Sequence, residues 1–330
     1  MPLSYDVAAV GNAIVDVIAP ASDAFLAEEK LDKGAMMLID TARADSLYKR
    51  MAAGIEASGG SAGNTVAGVA SLGGKAAYIG KVAKDTLGEV FRHDITAIGV
   101  HFDPTPMVGE EGTGRCLINV TDDAQRTMCT YLGAANALTP DDVDPALIEA
   151  AGIVYLEGYL FDPPAAREAF AKAARIARKA GRRVALTLSD AFVVHRHRDA
   201  LLDFIAGDMD IVFANEVEVC AMFETEDFGA ALKALSAKVE TAVVTRGAAG
   251  STLISKGERA DVAAEPVAKV IDTTGAGDQY AAGVLFGLAR GLTLAQSGRL
   301  GAIAAAEVIS HYGPRPQTPL KGLAEAAGLI

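Results

Sequence analysis

The sequence predicts an α/β protein with a mainly parallel central sheet, helices on both faces and a small β-sheet lid. Three observations carry this reading. From residue 152 onward, short β-type runs alternate regularly with longer helical patterns, and such alternation builds parallel sheets covered by helices. Two stretches, about 13–40 and 103–133, break the rhythm with strand-like runs that follow one another without a clear helix between them. The 330 residues are also 51% apolar and 22% charged, too apolar for disorder and numerous enough for a large core.

The elements are expected in this order. Tyr5–Val10 is a β-type run ending in Gly11-Asn12, a first buried strand. Ile14–Ala19 and Ala35–Ile39 follow as strands outside the main sheet, and Asp40-Thr41 caps a helix carrying Leu47, Tyr48 and Met51. After a glycine-rich turn at Gly59 come a helix around Asn64–Leu72, a strand at Ala76–Gly80 and a helix at Thr86–Ile98. Cys116–Val120 and Thr127–Tyr131 flank Asp122-Asp123 as a β-hairpin, which is expected to pair with the first insertion. Strands at Ile153–Leu156, Val184–Leu188, Asp210–Phe213 and Thr241–Val244 then alternate with helices, of which Ala165–Ala180 is the clearest. A β-type run at Val267–Ile271 precedes two long helices, Ala276–Arg290 and Thr293–Ser310. With no repeat, linker or charge block, a single domain over 1–330 is expected.

Composition excludes several classes of function. Lys and Arg number 30 against 42 Asp and Glu, a formal charge of −12, which argues against nucleic-acid and membrane-surface partners. The same charge would repel an anionic ligand unless one site were locally positive. No apolar stretch reaches the ~20 residues of a membrane span. The first residues, Met1-Pro2-Leu3-Ser4-Tyr5-Asp6, show no basic segment leading into an apolar run. Cys116, Cys129 and Cys220 are odd in number, have no C-x-x-C spacing and read as small apolar filler. A reducing, cytoplasmic setting is the expectation.

The most informative segment is Asp272-Thr273-Thr274-Gly275-Ala276-Gly277-Asp278. Small residues at 275–277 let backbone N–H groups converge at a helix N-terminus, where the macrodipole adds positive potential. Asp278 falls in the first turn, where that dipole favours the ionised carboxylate. A charged base beside an anion-stabilising turn is what phosphoryl transfer to a hydroxyl needs. A plain helix start with a capping Asp has the same spacing. No Ser, Cys or His stands in a comparable setting as a nucleophile, so direct in-line transfer is expected.

The heptapeptide resembles a signature of the PfkB/ribokinase family of carbohydrate and nucleoside kinases. A second family signature is matched by Gly59-Gly60-Ser61-Ala62-Gly63-Asn64-Thr65 with Leu72-Gly73-Gly74, and the likeness covers essentially the whole chain. The resemblance implies a ribokinase-like fold, ATP and Mg2+. It makes Asp278 the catalytic base, with Gly275, Ala276 and Gly277 as the anion hole. Gly11-Asn12 and Asp16 resemble the family's G-N-x-x-x-D turn, whose carboxylate accepts from two sugar hydroxyls. Gly59, Gly60 and Asn64 complete the ribose contacts by resemblance, and glycine there lets backbone approach the ligand. Asn215 with Glu218, rather than Glu216, is similar to the N-x-x-E element that acts through water on Mg2+ and the phosphates. Thr245-Arg246-Gly247, with Gly250, resembles the T-x-G turn along the ATP phosphates, and Thr274 joins the phosphate set. Arg126 is the implied phosphate clamp, since a guanidinium matches phosphate oxygens bidentately; Arg115 competes with it, and an exposed hairpin charge is the plainer alternative. A monovalent cation such as K+ near Asp272, and a homodimer through the lid sheet, are implied as well.

Within the family, three segments resemble the adenosine kinase branch. Leu186-Thr187-Leu188-Ser189 followed by Phe192 is similar to that branch's N-L-S-x-x-F, with Thr187 replacing Asn. The hairpin from Gly112-Thr113 to Arg126 matches its lid, and Glu157-Gly158-Tyr159 falls where it carries an aromatic residue. Tyr159 or Phe161 could then stack on a purine, although both could equally be core aromatics. Gln279 departs from the small residue often found after the base. The implied acceptor is the 5'-OH of adenosine, with ribose- or fructose-type sugars as the alternative. A non-catalytic sugar- or nucleoside-binding protein would be expected to have lost Asp278 or its glycines. A dinucleotide-dependent oxidoreductase is disfavoured, because no G-x-G-x-x-G turn follows the first strand.

Overall fold

Strand β1 (Tyr5–Val10) buries Val7, Ala8, Ala9 and Val10 completely, as a strand covered on both faces must. The computed structural model describes residues 3–330; Met1 and Pro2, where the leader reading began, lie outside the described residues. From β1 the chain continues through β2 (Ile14–Pro20), α1 (Asp23–Glu28), β3 (Met36–Leu38), α2 (Thr41–Tyr48), β4 (Ile55–Ser58), α3 (Ser61–Ser71), β5 (Ala76–Ile79) and α4 (Thr86–Ala97). The hairpin β6 (Thr113–Val120) and β7 (Arg126–Gly133) comes next. Then follow α5 (Pro145–Glu149), β8 (Ala151–Glu157), α6 (Pro164–Lys179), β9 (Arg183–Thr187), α7 (Ala191–Asp208) and β10 (Ile211–Asn215). The last third holds α8 (Glu216–Met222), α9 (Phe228–Ser236), β11 (Thr241–Thr245), β12 (Ser251–Ser255), β13 (Glu258–Val262), α10 (Ala276–Ala289), α11 (Leu294–Val308) and α12 (Leu320–Ala326).

Eight strands form the central sheet in the order β13-β12-β11-β10-β9-β8-β1-β5. Pairings from β5 across to β11 are parallel, and β12 and β13 extend that edge antiparallel. Alternate residues divide between two cores, one on each face. Val7, Ala9, Tyr155 and Phe213 join one; Ala8, Val10, Leu156 and Val212 join the other. No helix among the described residues is long and apolar enough to cross a membrane.

The second sheet, ordered β3-β7-β6-β2-β4, draws its strands from both insertions, as the sequence predicts. Its first insertion runs past residue 40, because β4 pairs antiparallel with β2 through Val15 with Ser58 and Ile18 with Ile55. The sequence reading also omits α1, a short helix that buries only Leu26 and so shows no apolar stripe.

Two further departures lie near the C-terminus. Val267–Ile271 is not a strand: Val270 is exposed, no strand lies alongside, and Ile271 N–H bonds instead to Ile309 O at 2.8 Å. An apolar run makes a strand only where a neighbour completes its ladder. The β12–β13 hairpin escapes the sequence reading because both strands are short and mostly polar in sequence, β13 being the sheet edge. Lys256 and Gly257, both at positive φ, form the tight turn that closes it.

Helix α10 carries the heptapeptide's second half and packs closely on α11. A Cβ on Gly283 would overlap the backbone of Leu300 and Gly301. Gly283→Ala must therefore push the helices apart, and overpacking of this kind destabilises by about 1–3 kcal/mol. Urea unfolding should show a lowered midpoint at unchanged slope; an unchanged midpoint contradicts this packing.

Candidate active site

Five parallel strands of the central sheet end at one cleft, where ligands of open α/β sheets bind. Asn12 follows β1, and Glu157, Thr187, Asn215 and Thr245 end β8, β9, β10 and β11; all line a cavity of about 840 Å³. The small sheet forms the opposite wall. Strand alternation turns Ile14 and Asp16 of β2, Cys116 and Ile118 of β6, and Arg126, Met128, Thr130 and Leu132 of β7 to the cleft. The same alternation sends Arg115 outward, where it pairs with Asp45. Of the two arginines weighed from sequence, Arg126 is the one in the cleft.

The heptapeptide forms a turn braced from behind. Asp272, fully buried, accepts from Thr274 N at 2.9 Å, Thr274 Oγ1 at 2.6 Å and Gly313 N at 2.9 Å. Gly275 caps α10 at φ +78°, and a Cβ there would stand 2.6 Å from Pro314, so only glycine fits. Gly277 faces open space; of the first-turn N–H groups, that of Ala276 donates back to Thr273 O at 3.3 Å. Arg126 reaches over the turn, Nη1 donating to Thr273 O at 3.1 Å.

Asp278, in the first turn of α10, meets the N-terminus of α3. Its Oδ1 accepts from Ser61 Oγ at 2.6 Å and its Oδ2 from Asn64 Nδ2 at 3.1 Å. Burial raises its pKa, against the lowering pull of those two bonds and of Arg126 and Arg315. The helix dipole favours the ionised form and burial the neutral one, so the two act on this carboxylate in opposite directions.

Asp16 is 4% exposed; burial pushes its pKa up to about 7, against the lowering pull of Arg315 and of the neighbouring Asn64 side chain and Gly60 backbone. Gly60, at φ +81°, could not carry a Cβ without overlapping Asn12 O, and Gly59 faces the Asp16 carboxyl in the same way. Asn12 donates through Nδ2 to Glu157 Oε1 at 2.7 Å, while Ala62 N donates to Glu157 Oε2 at 2.8 Å. Glu157 is 1% exposed, and burial pushes it to about 7. The Asn12 Oδ1 acceptor, also buried, has no partner.

At the other end of the cleft, Asn215 and Glu218 form a capping box on α8. Asn215 N and Nδ2 donate to Glu218 at 3.0 and 2.7 Å, and Glu218 N donates to Asn215 Oδ1 at 2.8 Å. Glu218 is buried and pushed up to about 7 by that burial; Glu216 pairs instead with Arg246 at 3.3 Å. Thr245, Gly247 and Gly250 line the turn after β11, opposite an apolar wall of Val267, Ala302, Ala305 and Ile309. Tyr159 also lines the cleft, its phenol raised far by burial and then by Asp190. Phe161 does not: it packs in the core against Phe204 and the His197 ring.

The residues singled out from sequence come to one cleft except Gly59 and Asp272, which stand behind it, and the alternatives Arg115 and Phe161, which lie away from it. Four features were missed. Ser61 lay inside the quoted glycine-rich segment but was given no part. Glu157 was read only for its aromatic neighbour. Arg315 follows Gly313-Pro314 with no spacing to tie it to the site. Gln279, whose part was not explained, donates through Nε2 to Asn64 O and Pro314 O, both at 2.9 Å, and so ties α10 to α3. Among the described residues no cluster of His, Cys, Asp and Glu is built to hold a metal ion directly.

A family model, that of the pfkB family carbohydrate kinases, matches residues 28–321. The chain belongs to this family. It is a phosphotransferase with an alcohol acceptor. As a pfkB-family kinase it is 52% identical to the adenosine kinase of Sinorhizobium meliloti, whose crystal structure superposes with a TM-score of 0.95 over 98% of this chain and 99% of that one. It is 49% identical to a "probable sugar kinase protein" from Rhizobium etli, with a TM-score of 0.96 over 99% of this chain and 100% of that one. The adenosine kinase of Saccharomyces cerevisiae is 28% identical over 327 residues, 92% of this chain and 95% of that protein. The ribokinase-like fold, with its second small sheet, is thereby shared with solved members of the family.

The raised pKa of Asp16 gives this pfkB-family kinase a signature in stability. An acid whose folded pKa lies near 7 against 3.8 when free stabilises the fold fully below the lower value, and that contribution is lost as pH rises through about 7. Asp16→Asn removes the charge at every pH. Its Tm relative to wild type should climb between about pH 4 and 7 and level off above. A difference in Tm that does not vary with pH contradicts a buried, raised Asp16.

Proposed function

We propose that this pfkB-family kinase transfers the γ-phosphoryl group of ATP to the 5'-hydroxyl of adenosine, working as a single unit over 1–330 with the small sheet as its lid. The observation that carries the reading is Asp278, which stands where the acceptor half of the cleft, through Ser61 and Asn64, meets the first-turn N–H groups of α10, which no side chain caps. In the proposed mechanism Asp16 accepts hydrogen bonds from two ribose hydroxyls, and the unpartnered Asn12 Oδ1 accepts another. Asp278 takes the proton of the attacking hydroxyl at a carboxylate oxygen. The N–H groups at 275–277 and the Arg126 guanidinium hold the negative charge of the transferred phosphoryl. The lid keeps water from competing as the acceptor.

The nucleotide end suits ATP, with a turn at Thr245, Gly247 and Gly250 for phosphates and an apolar wall for a base. Mg2+, which the family implies, would neutralise charge between the phosphates when bound. Glu218 and Asn215 fit it through intervening water, since the Glu218 oxygens already accept from Asn215. For K+, Asp272 retains one of its roughly four acceptor sites after its three hydrogen bonds, and no step depends on it.

The lid face favours a nucleoside over a free sugar. Ile14, Met36, Leu38, Ile118, Met128 and Leu132 present apolar surface to the acceptor half, which a purine would cover and a sugar would not. The base wall is then aliphatic. Tyr159, with Arg126, Glu218 and Asp278 as charged neighbours, belongs beside the phosphates. A sugar kinase is the second reading, favoured by the 49% identity to the Rhizobium etli protein. Coupled ADP release with Mg-ATP and adenosine, guanosine, inosine, ribose or fructose decides between them. The highest kcat/KM should belong to adenosine; a preference for ribose or fructose contradicts the assignment.

A further inference from the structure

Arg315 has no part in the mechanism above, yet it is the most connected side chain behind the acceptor site. It enters on a segment pinned at three points. Gly313 N donates to Asp272, Pro314 packs on Gly275, and Pro314 O accepts from Gln279. From there the guanidinium donates through Nε to Asn64 Oδ1 at 3.1 Å and through Nη2 to the carbonyl of Ser58 and to Ser58 Oγ, the latter at 2.9 Å. Ser58 ends β4, so the one side chain joins the lid sheet, α3 and the loop behind the anion turn.

Its chemistry settles the orientation of Asn64. A guanidinium can only donate, so the Asn64 atom facing it must be the amide oxygen. The Asn64 amino group is thereby turned to Asp278, whose ionised carboxylate can only accept. Asp278 alone enforces this orientation only while it is ionised; Arg315 enforces it in either protonation state of the carboxyl.

We propose that Arg315 is a positioning residue of the active site, fixing the Asn64 amide towards Asp278 and supplying the positive charge that Asp16 and Asp278 share from behind. The charged surroundings single it out. Asp278 is faced by Asp16 on β2, Glu157 and Tyr155 on β8, Tyr159 just beyond, and the cations Arg126 on β7 and Arg315. Asp16 is faced by Asp278, by Cys116 on β6 and Tyr78 on β5, and by Arg315 as its cation. Burial lowers the Arg315 pKa, with Asp94, Asp16, Tyr78 and Asp278 opposing that shift. Arginine keeps its proton in such a site.

The inference rests on the proposed kinase site, and the test separates the two. Full-length wild type, Arg315→Gln and Arg315→Lys are compared, after confirming folding by circular dichroism. The first readout needs no turnover: the Asp16 and Asp278 carboxyl carbons are titrated by 13C NMR, assigned with Asp16→Asn and Asp278→Asn. Arg315→Gln should raise the Asp16 midpoint by about one pH unit and that of Asp278 by less, because a nearby opposite charge is lost. Midpoints unmoved in Arg315→Gln overturn the proposal. The second readout is the pH profile of kcat/KM, whose acidic limb should move upward with those midpoints. If the glutamine variant does not fold, Arg315→Lys decides. It keeps a cation but not the fork, so its midpoints should stay near wild type while kcat falls by about tenfold or more from misplaced groups. A lysine variant with wild-type kcat, or with midpoints well above wild type, sinks the assignment. Absence of turnover in wild type on every acceptor removes the proposed function, while the NMR titration still decides Arg315.

Discussion

Helices α3 and α10 bring their N-termini together at Asp278, whose two oxygens accept from Ser61 and Asn64 of the one while its backbone opens the other. The rest of the site is arranged around this junction. Helix α3 follows directly on β4 of the small sheet, and its first turn is fixed by Glu157, which also holds Asn12. Helix α10 is set by the glycine contact with α11 and by Gln279, which reaches back to α3 and to the loop at Pro314. A change at any of these braces moves one carboxylate oxygen relative to the anion turn. Errors of about 1 Å in such positions can lower a rate a hundredfold.

The same junction answers the charge problem of a protein at −12 that handles a polyanion. Asp16, Glu157, Glu218 and Asp278 all line the cleft, and burial raises every one of them. Their negative charge is offset locally by a few groups: Arg126 over the anion turn, Arg315 behind the acceptor half, and the N–H groups that head α10. Surface acid farther off than a Debye length of about 8 Å is screened from the site. Net charge therefore says little about whether a nucleotide can bind, and the fields within the cleft say more.

What the sequence made legible was local. The heptapeptide, the glycine-rich turn and the N-x-x-E element each lie within a few residues; the chemistry of the first follows from spacing at a helix end, and that of the other two from the family resemblance. Strand alternation even separates Arg126 from Arg115, because Arg115 is one residue from the cleft-facing Cys116 and so points away. Contacts between distant segments were not legible. Asn64 and Arg315 are 251 residues apart, and no pattern in one predicts the other. Tyr159 and Phe161 looked equivalent until the short turn after β8 set one in the cleft and the other in the core. Val267–Ile271 misled because apolar content alone cannot supply a neighbouring strand.

The central claim is that Asp278 receives the acceptor's proton and does not hold the acceptor. Asp278→Asn keeps the shape and removes the base, so steady-state kinetics paired with calorimetric acceptor binding test it directly. The account predicts a fall in kcat of roughly 10²–10⁴-fold, the usual worth of a positioned general base, with acceptor Kd nearly unchanged. Wild-type kcat, or a loss confined to acceptor Kd, would contradict it.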